Sequence, residues 1–73
     1  MYKPKFKVGD LIQLVDPISF AEGNKVIPSG AIGLILTSMC YGDEHNCAGY
    51  DYIVLVDGEE IIFFEEELVA LHT

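Results

Sequence analysis

The chain has no tryptophan, no arginine, four lysines, two cysteines and three prolines among its 73 residues. Each shortage excludes something. Without tryptophan there are no indole walls on which an extended proline-rich peptide would dock. With four lysines against twelve Asp and Glu, the formal net charge is −8, a field that repels phosphate backbones and argues against a protein that coats nucleic acid. No apolar run lasts more than about seven residues before Gly, Ser or a charge, against the ~20 that a membrane-spanning helix needs. Residues 1–7 lack the apolar stretch of a signal peptide, so the expected compartment is the cytoplasm. What is abundant is apolar character: 51% hydrophobic residues exclude a disordered tail. At this length only roughly 60% of the unfolded surface can be buried, so 1–73 is expected to be one small domain, with 1–7 as an extended N-terminal arm.

The acidity is unevenly distributed. Residues 1–25 hold Lys3, Lys5, Lys7 and Lys25 against Asp10, Asp16 and Glu22, a sum of +1, whereas residues 26–73 hold nine acids and no Lys or Arg, a sum of −9.

The local pattern is β throughout. Val8-Gly9-Asp10 is a turn signal ahead of a strand over 11–15, which Asp16-Pro17 stops. No clean period runs from Ile18 to Gly30, a long excursion punctuated by Gly23-Asn24 and Pro28-Ser29-Gly30. A second strand is expected over 31–37, with Gly33 marking a bulge or a close backbone approach. Residues 38–49 are small and polar and read as a long loop or mobile tip, followed by a strand over 50–56. Asp57-Gly58 is the strongest hairpin signal in the chain and leads into a strand over 59–64. Glu65-Glu66-Glu67-Leu68 reads as one helical or 3₁₀ turn before a closing strand over 69–71. A helix over 61–71 competes, but the β-branched and aromatic run Ile61-Ile62-Phe63-Phe64 opposes it. The expected fold is therefore all-β: a small five-stranded SH3-like barrel with one short helical turn before the last strand, closed so as to remove aggregation-prone edges. Val8, Ile12, Leu14, Ile32, Ile35, Ile53, Leu55, Ile62, Phe64, Leu68 and Val69 are its expected core.

Family resemblance follows the same residues. Phe6-Lys7-Val8-Gly9-Asp10-Leu11-Ile12-Gln13-Leu14 resembles the opening of many SH3-like barrels, and Gly30-Ala31-Ile32-Gly33-Leu34-Ile35 resembles the Gly-x-x-Gly-x-Val step of KOW-type barrels. Residues 52–71 resemble the last hairpin and closing turn of small bacterial and bacteriophage proteins of this kind. The resemblance implies a fold and leaves function open, since similar barrels serve ribosome- and polymerase-associated modules and small subunits that dock a redox partner. Ala48-Gly49-Tyr50-Asp51-Tyr52 and Val26-Ile27-Pro28-Ser29 also resemble motifs of eukaryotic SH3 domains, but in the wrong order and without the tandem tryptophans.

Several constellations carry chemistry. Cys40, His45 and Cys47, with Asp43 or Glu44, form a weak metal candidate, because Cys-x₄-His-x-Cys is not the tight zinc knuckle; the plain reading is two loop thiols beside an exposed histidine. A disulfide across this gap would close a hairpin loop, although a cytoplasmic chain should keep it reduced. The same residues supply the types needed for nucleophilic catalysis, but a mobile tip cannot hold them in register, and His72 is expected to fray at the C-terminus. Gly30-Ala31-Ile32-Gly33 lacks the Lys-Ser/Thr continuation of a phosphate loop. No enzyme activity, cofactor or metal is therefore expected.

The acidic set reads either as a solubilising coat or as a face for a basic protein partner. In the sharper version Phe63 is an aromatic anchor rimmed by Glu59, Glu65 and Glu67 and extended by Tyr41, Tyr50 and Tyr52. The expected function is a non-enzymatic interaction, accessory or assembly module, bacterial or bacteriophage, docking through that acidic aromatic surface. Self-association is a variant that would bury Phe20 and Phe63. One alternative is a KOW-like module of the transcription or translation machinery touching nucleic acid through Lys3, Lys5, Lys7 and Lys25, and another is a metal or redox loop protein.

Overall fold

The computed structural model describes residues 2–20, 23, 25–43 and 45–71. Glu44 and His72 lie outside the described residues. The elements run β1 (Leu11–Leu14), β2 (Ile18–Ser19), β3 (Val26–Ile27), β4 (Ile32–Asp43), β5 (Asn46–Val56), β6 (Glu59–Phe64), a 3₁₀ turn η1 (Glu65–Glu67) and β7 (Leu68–Ala70). Five strands form one antiparallel sheet in the order β6-β5-β4-β1-β7, and β2 and β3 form a small separate ladder. The competing helix over 61–71 is replaced by strand, 3₁₀ turn and strand.

The turns explain the chain path. Asp57 (φ 51) and Gly58 (φ 78) both adopt positive φ, as the two central residues of a type I′ hairpin turn must. At the entry to β1, the Lys7 N–H donates to the Asp10 carboxylate at 3.0 Å and the Asp10 N–H to the Lys7 carbonyl at 3.0 Å, with Gly9 (φ 94) at the third position. That turn points Val8 outward: it is 64% exposed, and Phe6 occupies the core place expected for it.

Residues 38–43 and 46–49 belong to the extended end of the β4–β5 hairpin, paired from Ser38↔Tyr52 to Asp43↔Asn46, where a loop was expected over 38–49. This end shows no apolar alternation, and pairing with the partner strand keeps it extended. Two devices shape it: irregularities at Ile35/Thr37 and Tyr41/Gly42, and the Tyr41 ring lying over Gly49, where a Cβ would collide with it. The excursion over 18–30 contributes β2 and β3, whose Ile27 is buried and whose Ile18 and Phe20 pack on the core.

The core consists of Phe6, Ile12, Leu14, Ile27, Ile35, Tyr52, Val54, Val56, Phe63 and Leu68. Ile12, Leu14, Ile35 and Leu68 agree with the sequence expectation. On β5 and β6 the faces are reversed: Tyr52↔Phe63 and Val54↔Ile61 point inward, so Ile62 and Phe64 are exposed, Leu55 is 38% exposed, and Ile53 is half-buried. Ile32 and Val69 also face out. These strands carry apolar residues at both parities, so alternation does not choose a face, and a shift of one residue inverts all of them. Gly33 fits the resulting interior closely, because a Cβ there would lie 2.5 Å from Val54 Cγ1 and 3.3 Å from Ile12 Cδ1.

Candidate interaction surface

Of the residues expected to form an acidic aromatic docking face, Tyr52, Phe63 and Glu65 face inward, whereas Glu59 is exposed and Tyr50 and Glu67 are half-buried. Phe63 is 3% exposed and Tyr52 is 0% exposed, so both are core residues and neither is an accessible anchor. Glu65, 6% exposed, is the one buried charged residue among those described. It begins η1 directly after β6, which turns its side chain back under the sheet. Its carboxylate accepts hydrogen bonds from the hydroxyls of Tyr2 and Tyr52 and, at 3.1 Å, from the Lys5 N–H. The Phe6 N–H donates to the Tyr52 hydroxyl at 3.4 Å. Rings continue the cluster: Phe6 meets Tyr52 edge-on at 5.5 Å, and Tyr50 lies 6.5 Å from Tyr52 and 6.2 Å from Tyr2. The N-terminal arm expected over 1–7 is thus fastened to the body through Phe6 and Glu65.

Electrostatics follow from this geometry. Burial pulls the Glu65 pKa upward, but the hydrogen bonds from Tyr2, Tyr52 and Lys5 outweigh it, and the net value is lowered. Tyr52 is pushed up to about 12 by burial and by its bond to Glu65. Tyr2 is raised chiefly by its hydrogen bond to the same carboxylate.

The remaining members of the expected face have other tasks. Glu67, half-buried, accepts the Phe64 N–H at 2.8 Å and so closes the start of η1. Glu59 is exposed and pairs with Lys25 at 3.3 Å, and Asp57 pairs with the same lysine at 3.4 Å. Desolvation draws the Lys25 pKa down, yet the hydrogen bonds its ammonium donates to Glu59 and Asp57 leave it raised. The pair ties the β2–β3 excursion to the β5–β6 turn, and as an exposed, solvent-screened pair it contributes little to stability.

Cys40 and Cys47 form a disulfide with Cα atoms 5.8 Å apart. The pairing replaces the expected free loop thiols and removes both thiolates of the weak metal candidate. The His45 N–H donates to Asp43 Oδ1 at 3.1 Å. Among the described residues no three His, Cys, Asp or Glu converge as metal ligands, and no helix is long and apolar enough to cross a membrane. An open cleft of about 380 Å³ between the turn before β1 and β7 offers one ammonium, Lys5, and one carboxylate, Asp10.

The surface that stands out is the outer face of the five-stranded sheet. Leu11, Ile32, Leu55, Ile62, Phe64 and Val69 are exposed there, in cross-strand rows fixed by the register. Leu11, Leu34 and Leu55 form one row, Ile53 and Ile62 a second, and Met39, Asp51 and Phe64 a third. A single exposed leucine is ordinary, whereas a connected apolar face is the mark of a contact surface. The signal was present in the sequence as consecutive apolar residues in a strand, Ile61 to Phe64, which place apolar groups on both faces at once. Comparison with protein-family models, with curated proteins and with solved structures finds no match.

Proposed function

We propose that the chain is a small SH3-like barrel, of the kind its turns and closing segment resemble in bacterial and bacteriophage proteins, and that it works without catalysis as a protein–protein interaction or assembly module. The barrel reading is supported by the sheet order β6-β5-β4-β1-β7, the long excursion after β1 and the 3₁₀ turn before β7. The docking surface is the outer sheet face, and the observation that carries it is the set of six exposed large apolar side chains in adjoining rows. The contact therefore moves from the acidic aromatic cluster, which serves the interior, to the opposite side of the same strands. Nucleic-acid binding receives less support, because Lys25 is committed to Asp57 and Glu59 and only the three lysines of the arm remain.

The test is affinity capture from a host lysate, comparing wild type with the Ile62→Ser/Phe64→Ser variant. Both side chains are solvent-exposed, so the variant should keep its stability within about 0.5 kcal/mol per site. It should also lose the proteins that wild type retains. Identical partner lists would sink the outer face as the docking surface.

A further inference from the structure

Building on the docking reading above, we infer that the occupant of the outer face is a basic-apolar segment of another protein, one that sets apolar side chains around a lysine or arginine whose cation meets Asp51. Among the strand residues that lie between the six exposed apolar side chains, the charged ones are Asp51 and Glu60, and both are negative. Among the described residues neither acid has an ion pair with a lysine, and Lys25 is held by Asp57 and Glu59 instead. Asp51 lies in the row between Met39 and Phe64, and its Oδ1 is closed off from solvent with no hydrogen-bond donor.

Asp51 is half-buried among these apolar neighbours, so an ammonium or guanidinium that reaches the accessible part of its carboxylate is less screened by water than it would be at a fully exposed acid. The apolar neighbours Ile53, Ile62 and Phe64 supply the ring that would exclude water around such a pair, the arrangement found at interaction hot spots. A second copy of the chain fits less well. It would bring a net −8 onto a net −8 and set Asp51 and Glu60 against surfaces of the same sign.

The experiment uses the isotope-labelled full chain and synthetic peptides of alternating leucine and serine that differ only in the central residue: lysine, glutamine or glutamate. The lysine peptide should shift the amide resonances of Asp51, Ile53, Ile62 and Phe64, and the glutamate peptide should not. Asp51→Asn, which keeps the side-chain shape, should weaken the lysine peptide about tenfold and leave the glutamine peptide within about twofold. Glu60→Gln provides a second variant on the same face if Asp51→Asn fails to fold. Equal binding of all three peptides overturns the charge inference while the docking surface stands. If no peptide perturbs the outer face, the docking surface itself falls. Concentration-dependent dimerisation that broadens these same resonances makes a second copy the occupant and also overturns the inference.

Discussion

Glu65 is held out of water by three donors, Tyr2, Tyr52 and the Lys5 N–H, and it links the first residues of the chain to the segment just before β7. An acceptor-only carboxylate suits three donors, whereas an amide in its place would turn an N–H toward a hydroxyl or an N–H. Glu65→Gln should therefore cost about 1–3 kcal/mol at neutral pH. The pH dependence has a definite sign. Because the folded-state pKa of Glu65 is lowered, its contribution is fully present above the ordinary value of about 4.3 and is lost as pH falls through the depressed value. Denaturant melts of wild type and Glu65→Gln should differ by a constant amount from neutral pH down to the ordinary carboxylate range, then converge in stronger acid. A gap that stays constant through acid would show that the charge on Glu65 is not what the phenols bind. Tyr52 is bound into the same cluster, and its phenol is protonated, and so able to donate, throughout this range.

Among the elements, the β4–β5 hairpin departs furthest from the sequence expectation. Its inner half supplies Ile35, Tyr52 and Val54 to the core, and its outer half carries the Cys40–Cys47 disulfide past the irregularity at Tyr41/Gly42. With seven residues of sequence separation the bridge closes a short loop, and its effect falls on opening of the tip more than on global unfolding. In the Cys40→Ser/Cys47→Ser variant, amide exchange across the tip should accelerate by about tenfold or more, while exchange at Ile12 and Val54 stays within about twofold of wild type. Equal acceleration in the core would show that the tip and the sheet open as one unit. The same strands show how much of each element can be read from sequence. Turn chemistry placed β1, β6, η1 and the Asp57-Gly58 hairpin with little error, because Gly, Pro and Asp act locally. The tip was misread because its extended state comes from pairing with a partner strand, which leaves no periodic trace in either segment.

For the molecule as a whole, charge and apolar surface are sorted to different places. The body from residue 26 onward carries −9, and apart from Lys25 the cations belong to the arm. Like charges crowded on so small a body repel one another, and counterions relieve that repulsion over the Debye range. The melting temperature should rise by about 2–4 °C between 10 mM and 150 mM NaCl, a range too dilute for salt to strengthen apolar burial appreciably. A flat or falling melting temperature over that range would mean the acids are already balanced within the fold.

The sequence by itself determined the class of the fold, its turn positions, the 3₁₀ turn, the net charge and the richness in apolar residues, all of which depend on local chemistry or on composition. Only the tertiary structure decided which side of the sheet became the interior. On β5 and β6 both alternate sets of side chains are apolar, so burial energy favours neither face by pattern alone. The choice follows from register and from distant partners: Gly33 leaves room for Val54, Phe6 packs edge-on against Tyr52, and the Tyr52 hydroxyl reaches Glu65. That choice turned Phe63, Tyr52 and Glu65 from an expected surface into a core. It also turned Ile62 and Phe64 from an expected core into the surface where a partner is proposed to dock.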